Sequence, residues 1–150
     1  MGPDVKALKI NAGQTGFYRV HYDSEEMLAA LANRVADKSL PPADRWGLQE
    51  DLFAMARGGR VAPARYLDFL KAYGEEDDFL PVIGIAGNLH LMYLVAAGVM
   101  RDRTAETGRQ ILESVLGRIG HDPKDGEENT IRMLRDAILF RAMMFGSAVA

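Results

Sequence analysis

The stretch Leu40-Pro41-Pro42-Ala43-Asp44-Arg45-Trp46-Gly47-Leu48-Gln49-Glu50-Asp51-Leu52-Phe53-Ala54-Met55-Ala56-Arg57-Gly58-Gly59-Arg60-Val61 decides the fold class. Proline lacks the backbone N–H that the first turn of a helix leaves unpaired, so Pro41 and Pro42 can open a helix, and Gly58 and Gly59 can take the left-handed angles that close one. Between these signals Leu48, Leu52 and Met55 fall on one face, and Trp46 and Phe53 form a second. A helix with two apolar faces requires neighbours on at least two sides. The spacing predicts a mainly α protein in which this helix is central.

Flanking segments carry the same kind of signal. Asp23, with Glu26 three residues on, has the arrangement of a capping box ahead of the stripe Met27, Leu31 and Val35. Pro63 starts a short helix with Tyr66, Leu67, Leu70 and Tyr73, which Gly74 ends. A long apolar run from Phe79 to Met100 breaks near Gly98, and Ala105 to Gly120 carries Ile111, Leu112, Val115, Leu116 and Ile119 at helical spacing. A polar loop, Lys124 to Glu128, precedes a last helix from about Thr130 to Gly146. Helices joined by short turns predict antiparallel hairpins stacked as an irregular helical-repeat array of the HEAT/ARM kind, with no period that defines a named repeat.

Upstream, Val5 to Asn11 and Gly16 to Tyr22 alternate as strands do, and Ala12-Gly13-Gln14-Thr15 supplies a turn. The pattern predicts a short N-terminal β-hairpin. Two strands alone are marginal in water, so the hairpin either belongs to a sheet outside this chain or packs as an arm on the helices; the pattern supports both.

Composition narrows the function. The chain has 150 residues, 48% hydrophobic and 26% charged, which suffices for one domain with a real core. Acids and bases are interspersed to a net charge of −3, without the basic block that nucleic-acid binding needs. The absence of cysteine excludes disulfides, thiolate metal sites and a cysteine nucleophile. The N-terminus has no apolar signal core, and Lys6 stands where myristoylation needs Ser or Thr, so a cytoplasmic location is expected. Phe79 to Met100 approaches the roughly 20 residues of a membrane span, but Pro81, Gly84, Gly87 and the polar Asn88 and His90 argue for a buried helix of a soluble domain.

No catalytic or metal-binding constellation is legible. His21, His90 and His121 lack partners at ligand spacing, and there is no His-Glu-x-x-His, nucleophile elbow or phosphate loop. Glu75 to Asp78 read as a solvated helix start, and Asp44 with Arg45 as a helix-start charge pair or cap. One group stands out: Asn88, His90 and Tyr93 lie in the most apolar segment, where a polar group without a partner costs about 1–3 kcal/mol. Tyr93 lies about a turn beyond His90, and Asn88 projects elsewhere. These three are the candidate substrate-facing residues, against the simpler reading that they are satisfied core polar groups.

Three stretches together carry a resemblance: Lys9-Ile10-Asn11-Ala12-Gly13-Gln14-Thr15-Gly16-Phe17-Tyr18-Arg19-Val20-His21-Tyr22, Leu40 to Ala54, and Gly117-Arg118-Ile119-Gly120-His121-Asp122-Pro123-Lys124-Asp125-Gly126-Glu127. In this order they resemble the C-terminal region of zinc aminopeptidases of the aminopeptidase N and puromycin-sensitive aminopeptidase family, with His121 where the family leads one to expect Trp. The resemblance implies a non-catalytic fragment of an enzyme that removes N-terminal amino acids from peptides. Residues 1–22 would be the end of a β-sandwich domain, and residues 23–150 the first part of a helical cap enclosing the active-site chamber and contacting the distal end of the substrate. Zinc and its ligands would lie in the parent enzyme, with no cofactor, catalytic residue or metal ligand here. The implied partners are the missing catalytic and β domains of the same chain and the peptide substrate, with neither nucleic acid nor membrane. The cap usually continues further, so an apolar flank is expected, covered by missing helices or by self-association. Phe79 to Met100 is more apolar than the resemblance leads one to expect. The alternative, from another class, is a stand-alone helical scaffold that binds protein or peptide partners.

Overall fold

The computed structural model describes residues 7–150, in which six α-helices form: α1 (Glu25–Ala36), α2 (Pro42–Arg57), α3 (Pro63–Leu70), α4 (Phe79–Val95), α5 (Gly98–Ile119) and α6 (Asn129–Met144). The fold is mainly α, as the periodicity predicts. The helices divide into two compact units, with the boundary between Ala72 and Tyr73.

In the first unit α2 begins with Pro42 at its first turn and closes where Gly59 takes the left-handed φ of +69°. Leu48, Leu52 and Phe53 are buried. So are Asp44, Arg45, Gln49 and Asp51, which an amphipathic reading would place in solvent. Its neighbours explain them. Tyr66 of α3 is fully buried, with its ring 5.1 Å from that of Phe53 and its hydroxyl donating to Gln49 Oε1 at 3.0 Å. Arg45 Nη1 donates to the carbonyl of Leu40 at 2.5 Å, just before the start of α2. At the start of α1 the cap is Ser24, whose hydroxyl accepts from the Met27 N–H at 3.2 Å, and not Asp23 as the box pattern predicts. An ion pair between Glu25 and Arg65, at 2.9 Å, joins α1 to α3.

The predicted hairpin is not formed: among the described residues there is no strand, and Val5 and Lys6 of the first predicted strand lie outside them. In place of a ladder, side chains satisfy part of the backbone of these segments. Asn11, at the left-handed φ of 58°, accepts from the Gly16 N–H at 2.7 Å through Oδ1 and donates to the Gly16 carbonyl at 3.0 Å through Nδ2. A 3-10 turn, Ala12–Gln14, sits between them. The chain still doubles back, since the Ile10 N–H donates to the Tyr22 hydroxyl at 3.0 Å.

In the second unit α4, α5 and α6 pack pairwise on one another around Ile85, Leu89, Leu112, Val115, Leu116 and Ile138. Ring pairs His90–Phe140 and Tyr93–Phe145 advance together along α4 and α6, so these two helices run parallel and α5 runs against both. The break predicted near Gly98 is present, with Gly98 at φ +53°, but α5 starts there and not at Ala105. Among the described residues no helix is long and apolar enough to cross a membrane. The acidic run before α4 is not wholly solvated. Glu76 is buried, its Oε1 accepting from the N–H groups of Asp77 and Asp78, while Arg118 donates to its carbonyl at 2.6 Å.

Candidate functional site

Tyr93 is the best-defined member of the predicted group. It is half-buried near the end of α4, its ring edge-on to that of Phe145 at 5.5 Å, and the Arg101 guanidinium lies 4.3 Å from its centroid. A cation over an aromatic face is held by the ring quadrupole. Phe145 is itself buried, which fixes one side of the Tyr93 ring. His90, one turn earlier, lies 6.3 Å from the ring of the exposed Phe140, and its Nδ1 is buried with no hydrogen-bond partner. Asn88 is half-buried and bonded elsewhere; two residues before His90, it lies about 200° around the helix from it. Hence the fold brings His90 and Tyr93 to the α6 side and leaves Asn88 apart. Arg101, Phe140 and Phe145 complete the surroundings. None was legible beforehand, because their proximity depends on α4 and α6 running parallel.

A second concave region was not foreseen. In the first unit a cleft of about 330 Å³ is lined by Gln14, Gly16, Phe17, Tyr18, Arg19 and Trp46. Arg19 is anchored by Asp51 at 3.4 Å and lies 3.9 Å from Glu50. Beneath it Asp51 is almost fully buried, and desolvation pushes its carboxyl above the ordinary range despite Arg19. Nearby Lys9 is pulled down by burial, with Asp44 opposing. The cleft offers aromatic edges and one arginine, a surface for contact without the donor set of a catalytic centre.

The zinc implied by the resemblance does not fit the residues present. Among the described residues the one group of carboxylates close enough to share an ion, Glu76, Asp77 and Asp78, contains no histidine, and Glu76 is committed to backbone N–H groups. Zinc sites draw on His or Cys ligands.

Residues 7–150 match the ERAP1-like C-terminal domain. The chain belongs to that family. Three relatives are similar to this chain over most of its length. Puromycin-sensitive aminopeptidase of Caenorhabditis elegans is 32% identical over 143 residues, covering 93% of this chain and 15% of the relative. Aminopeptidase M1 of Arabidopsis thaliana is 30% identical over 142 residues, covering 93% of this chain and 16% of the relative. Tricorn protease-interacting factor F2 of Thermoplasma acidophilum is 35% identical over 131 residues, covering 87% of this chain and 16% of the relative. The chain thus spans 15–16% of the length of these curated relatives.

Proposed function

We propose that this chain is the non-catalytic opening part of the C-terminal helical cap of a zinc aminopeptidase, with residues 1–22 the end of a preceding β-sandwich and residues 23–150 the start of a HEAT/ARM-like array. In this reading the parent removes N-terminal amino acids from peptides in the cytoplasm, zinc and its ligands belong to other domains of that parent, and the cap encloses the active-site chamber. The observation that carries the proposal is the match of 93% of the chain to aminopeptidases of which it spans 15–16%. An N-terminal segment whose backbone is satisfied by side chains in place of a ladder is in keeping with a sheet supplied from outside. His90 and Tyr93, with Asn88 apart from them, are the proposed contacts to the distal part of a peptide, through ring stacking and hydrogen bonds.

Two measurements test this. The purified 150-residue chain is expected to show no chelator-sensitive hydrolysis of aminoacyl fluorogenic substrates; such hydrolysis would contradict the assignment. In the full-length enzyme, Tyr93→Ala is expected to raise KM for long peptides and leave that for single aminoacyl amides unchanged. An equal effect on both would remove Tyr93 from the distal contact.

A further inference from the structure

The connection from α5 to α6 is held at both ends by one side chain. Arg135, 1% exposed, donates to the Ile119 and Gly120 carbonyls on one side and to the Glu127 carboxylate on the other. Between these anchors residues 121–126 are all exposed. Within the stretch the Glu127 N–H donates to the Lys124 carbonyl at 3.2 Å, across a turn with Asp125 and Gly126 at its corner. Gly126 takes φ +76°, and nothing lies within 4 Å of where its Cβ would stand. Among the described residues no group bonds the Asp125 carboxylate or the Gly126 N–H.

We infer that Asp125–Gly126 is a site of spontaneous covalent modification, isomerisation of the aspartyl peptide bond to the isoaspartyl form, and that the product loosens the join between α5 and α6. In the first step the Gly126 nitrogen attacks Cγ of the protonated Asp125 carboxyl. A C–N bond forms, the nitrogen gives up its proton, and the carboxyl hydroxyl leaves as water, closing a succinimide ring. Water then adds to one of the two imide carbonyls. Opening at Cγ restores aspartate, whereas opening at the former main-chain carbonyl leaves the backbone running through Cβ and Cγ. Nothing is oxidised or reduced, and the mass of the chain is unchanged.

Asp125 is the only aspartate of the chain that glycine follows, so no side chain shields the attacking nitrogen. Elsewhere among the described residues a requirement fails. Asp44, Asp51, Asp68, Asp102 and Asp136 lie within helices, where the next N–H is committed to the backbone ladder. The N–H after Asp37 donates to the Val35 carbonyl, and that after Asp77 to Glu76 Oε1. Asp23 is held 3.2 Å from His21, and Asp78 is itself bonded and precedes the bulky Phe79. Asp122, in the same loop, precedes Pro123, which has no N–H to lose. The product matters because Glu127 is pinned. An isoaspartyl link adds one methylene to the main chain two residues before a carboxylate committed to a buried guanidinium, so the turn and the ion pair cannot both keep their geometry.

The test is independent of any peptidase activity. The whole chain is incubated for weeks at neutral pH and physiological temperature, then treated with isoaspartyl methyltransferase and radiolabelled S-adenosylmethionine, which methylates the isoaspartyl carboxylate, and mapped with trypsin. Label is expected to grow with incubation and to fall in the peptide of residues 125–132, whose mass before methylation is unchanged. Asp125→Glu, whose longer side chain would have to close a larger and slower ring, is expected to lose the label with helical circular dichroism intact. Asp122→Glu, in the same loop, is expected to keep it. The isomerised fraction is expected to unfold at lower urea than fresh protein. Label equal in wild type and Asp125→Glu, or lost in Asp122→Glu alone, overturns the site. An isomerised fraction with an unaltered urea midpoint overturns the loosening of the α5–α6 join.

Discussion

Asp44 Oδ1 accepts a 2.6 Å hydrogen bond from the backbone N–H of Gly13, a residue 31 positions earlier in the chain. The carboxylate stands in the first turn of α2, where the helix dipole favours negative charge, and Lys9 Nζ lies 3.8 Å away. It therefore anchors a turn that no strand pairing holds. Asp44→Ala is expected to destabilise the first unit by about 2 kcal/mol, the range for a buried hydrogen bond to a charged group. Asp44→Asn keeps an acceptor and is expected to cost less. Urea denaturation gives the energies, and limited trypsinolysis at Arg19 reports the local effect. Unchanged cleavage in Asp44→Ala would mean that other contacts hold the segment.

Gly108 of α5 faces the ring of Phe145. A Cβ there would lie 2.4 Å from Cδ2 and 2.5 Å from Cε2 of Phe145, which is 2% exposed and packed edge-on against Tyr93. Gly108→Ala therefore sets a helix-propensity gain of about 1 kcal/mol against overpacking of about 1–3 kcal/mol with displacement of the ring. A net loss of stability is expected, together with altered near-ultraviolet dichroism from Tyr93 and Phe145. Gly117→Ala, on the same helix with open space around its Cβ, isolates the propensity effect and is expected to stabilise. Equal gains from both variants would show that the Phe145 contact is soft.

Leu48, Leu52 and Phe53 were legible as core because helix spacing and the punctuation of Pro42 and Gly59 are local properties of the chain. The burial of Asp44 and Gln49 was not, because their partners Gly13 and Tyr66 are distant in sequence. The alternation from Phe17 to Tyr22 resembled a strand, but a strand needs a neighbour as well as a pattern, and Asn11 supplied side-chain bonds instead. The polar content of α4 pointed to His90 and Tyr93. Their separation from Asn88 followed from helical geometry, whereas Phe140 and Phe145 required the parallel placement of α4 and α6.

Asp51 is 1% exposed, and one of its carboxylate oxygens, Oδ2, is buried without a hydrogen-bond partner. Burial raises its pKa in the fold, with the Arg19 hydrogen bond opposing. In the window between the ordinary aspartate value and the raised one, the native state holds the extra proton, so this group's contribution makes stability fall as pH rises through that window. Asp51→Asn is expected to abolish that slope and to leave the chain at least as stable as the wild type at neutral pH. Urea midpoints of the two proteins across the acidic range decide it. A variant markedly less stable at neutral pH would show that the pairing with Arg19 outweighs the desolvation.

Glu127 contributes with the opposite sign. Arg135 is 1% exposed; it donates to the Glu127 carboxylate, to the Gly120 carbonyl at 2.8 Å and to the Ile119 carbonyl at 3.1 Å, closing the end of α5 and the loop before α6 with one side chain. The hydrogen bond from Arg135 holds the Glu127 pKa below its ordinary value. The unfolded chain therefore takes up this proton first, and the stabilisation is complete above the unfolded glutamate value of about 4.3 and disappears as pH falls through the depressed folded value. Glu127→Gln leaves the buried guanidinium without its counter-charge, so a lower urea midpoint is expected at neutral pH. The gap between wild type and variant should stay constant down to about pH 5 and narrow below it, as the wild-type carboxylate protonates. A gap that persists unchanged to the acid limit would mean that Arg135 holds the loop through the Gly120 and Ile119 carbonyls alone.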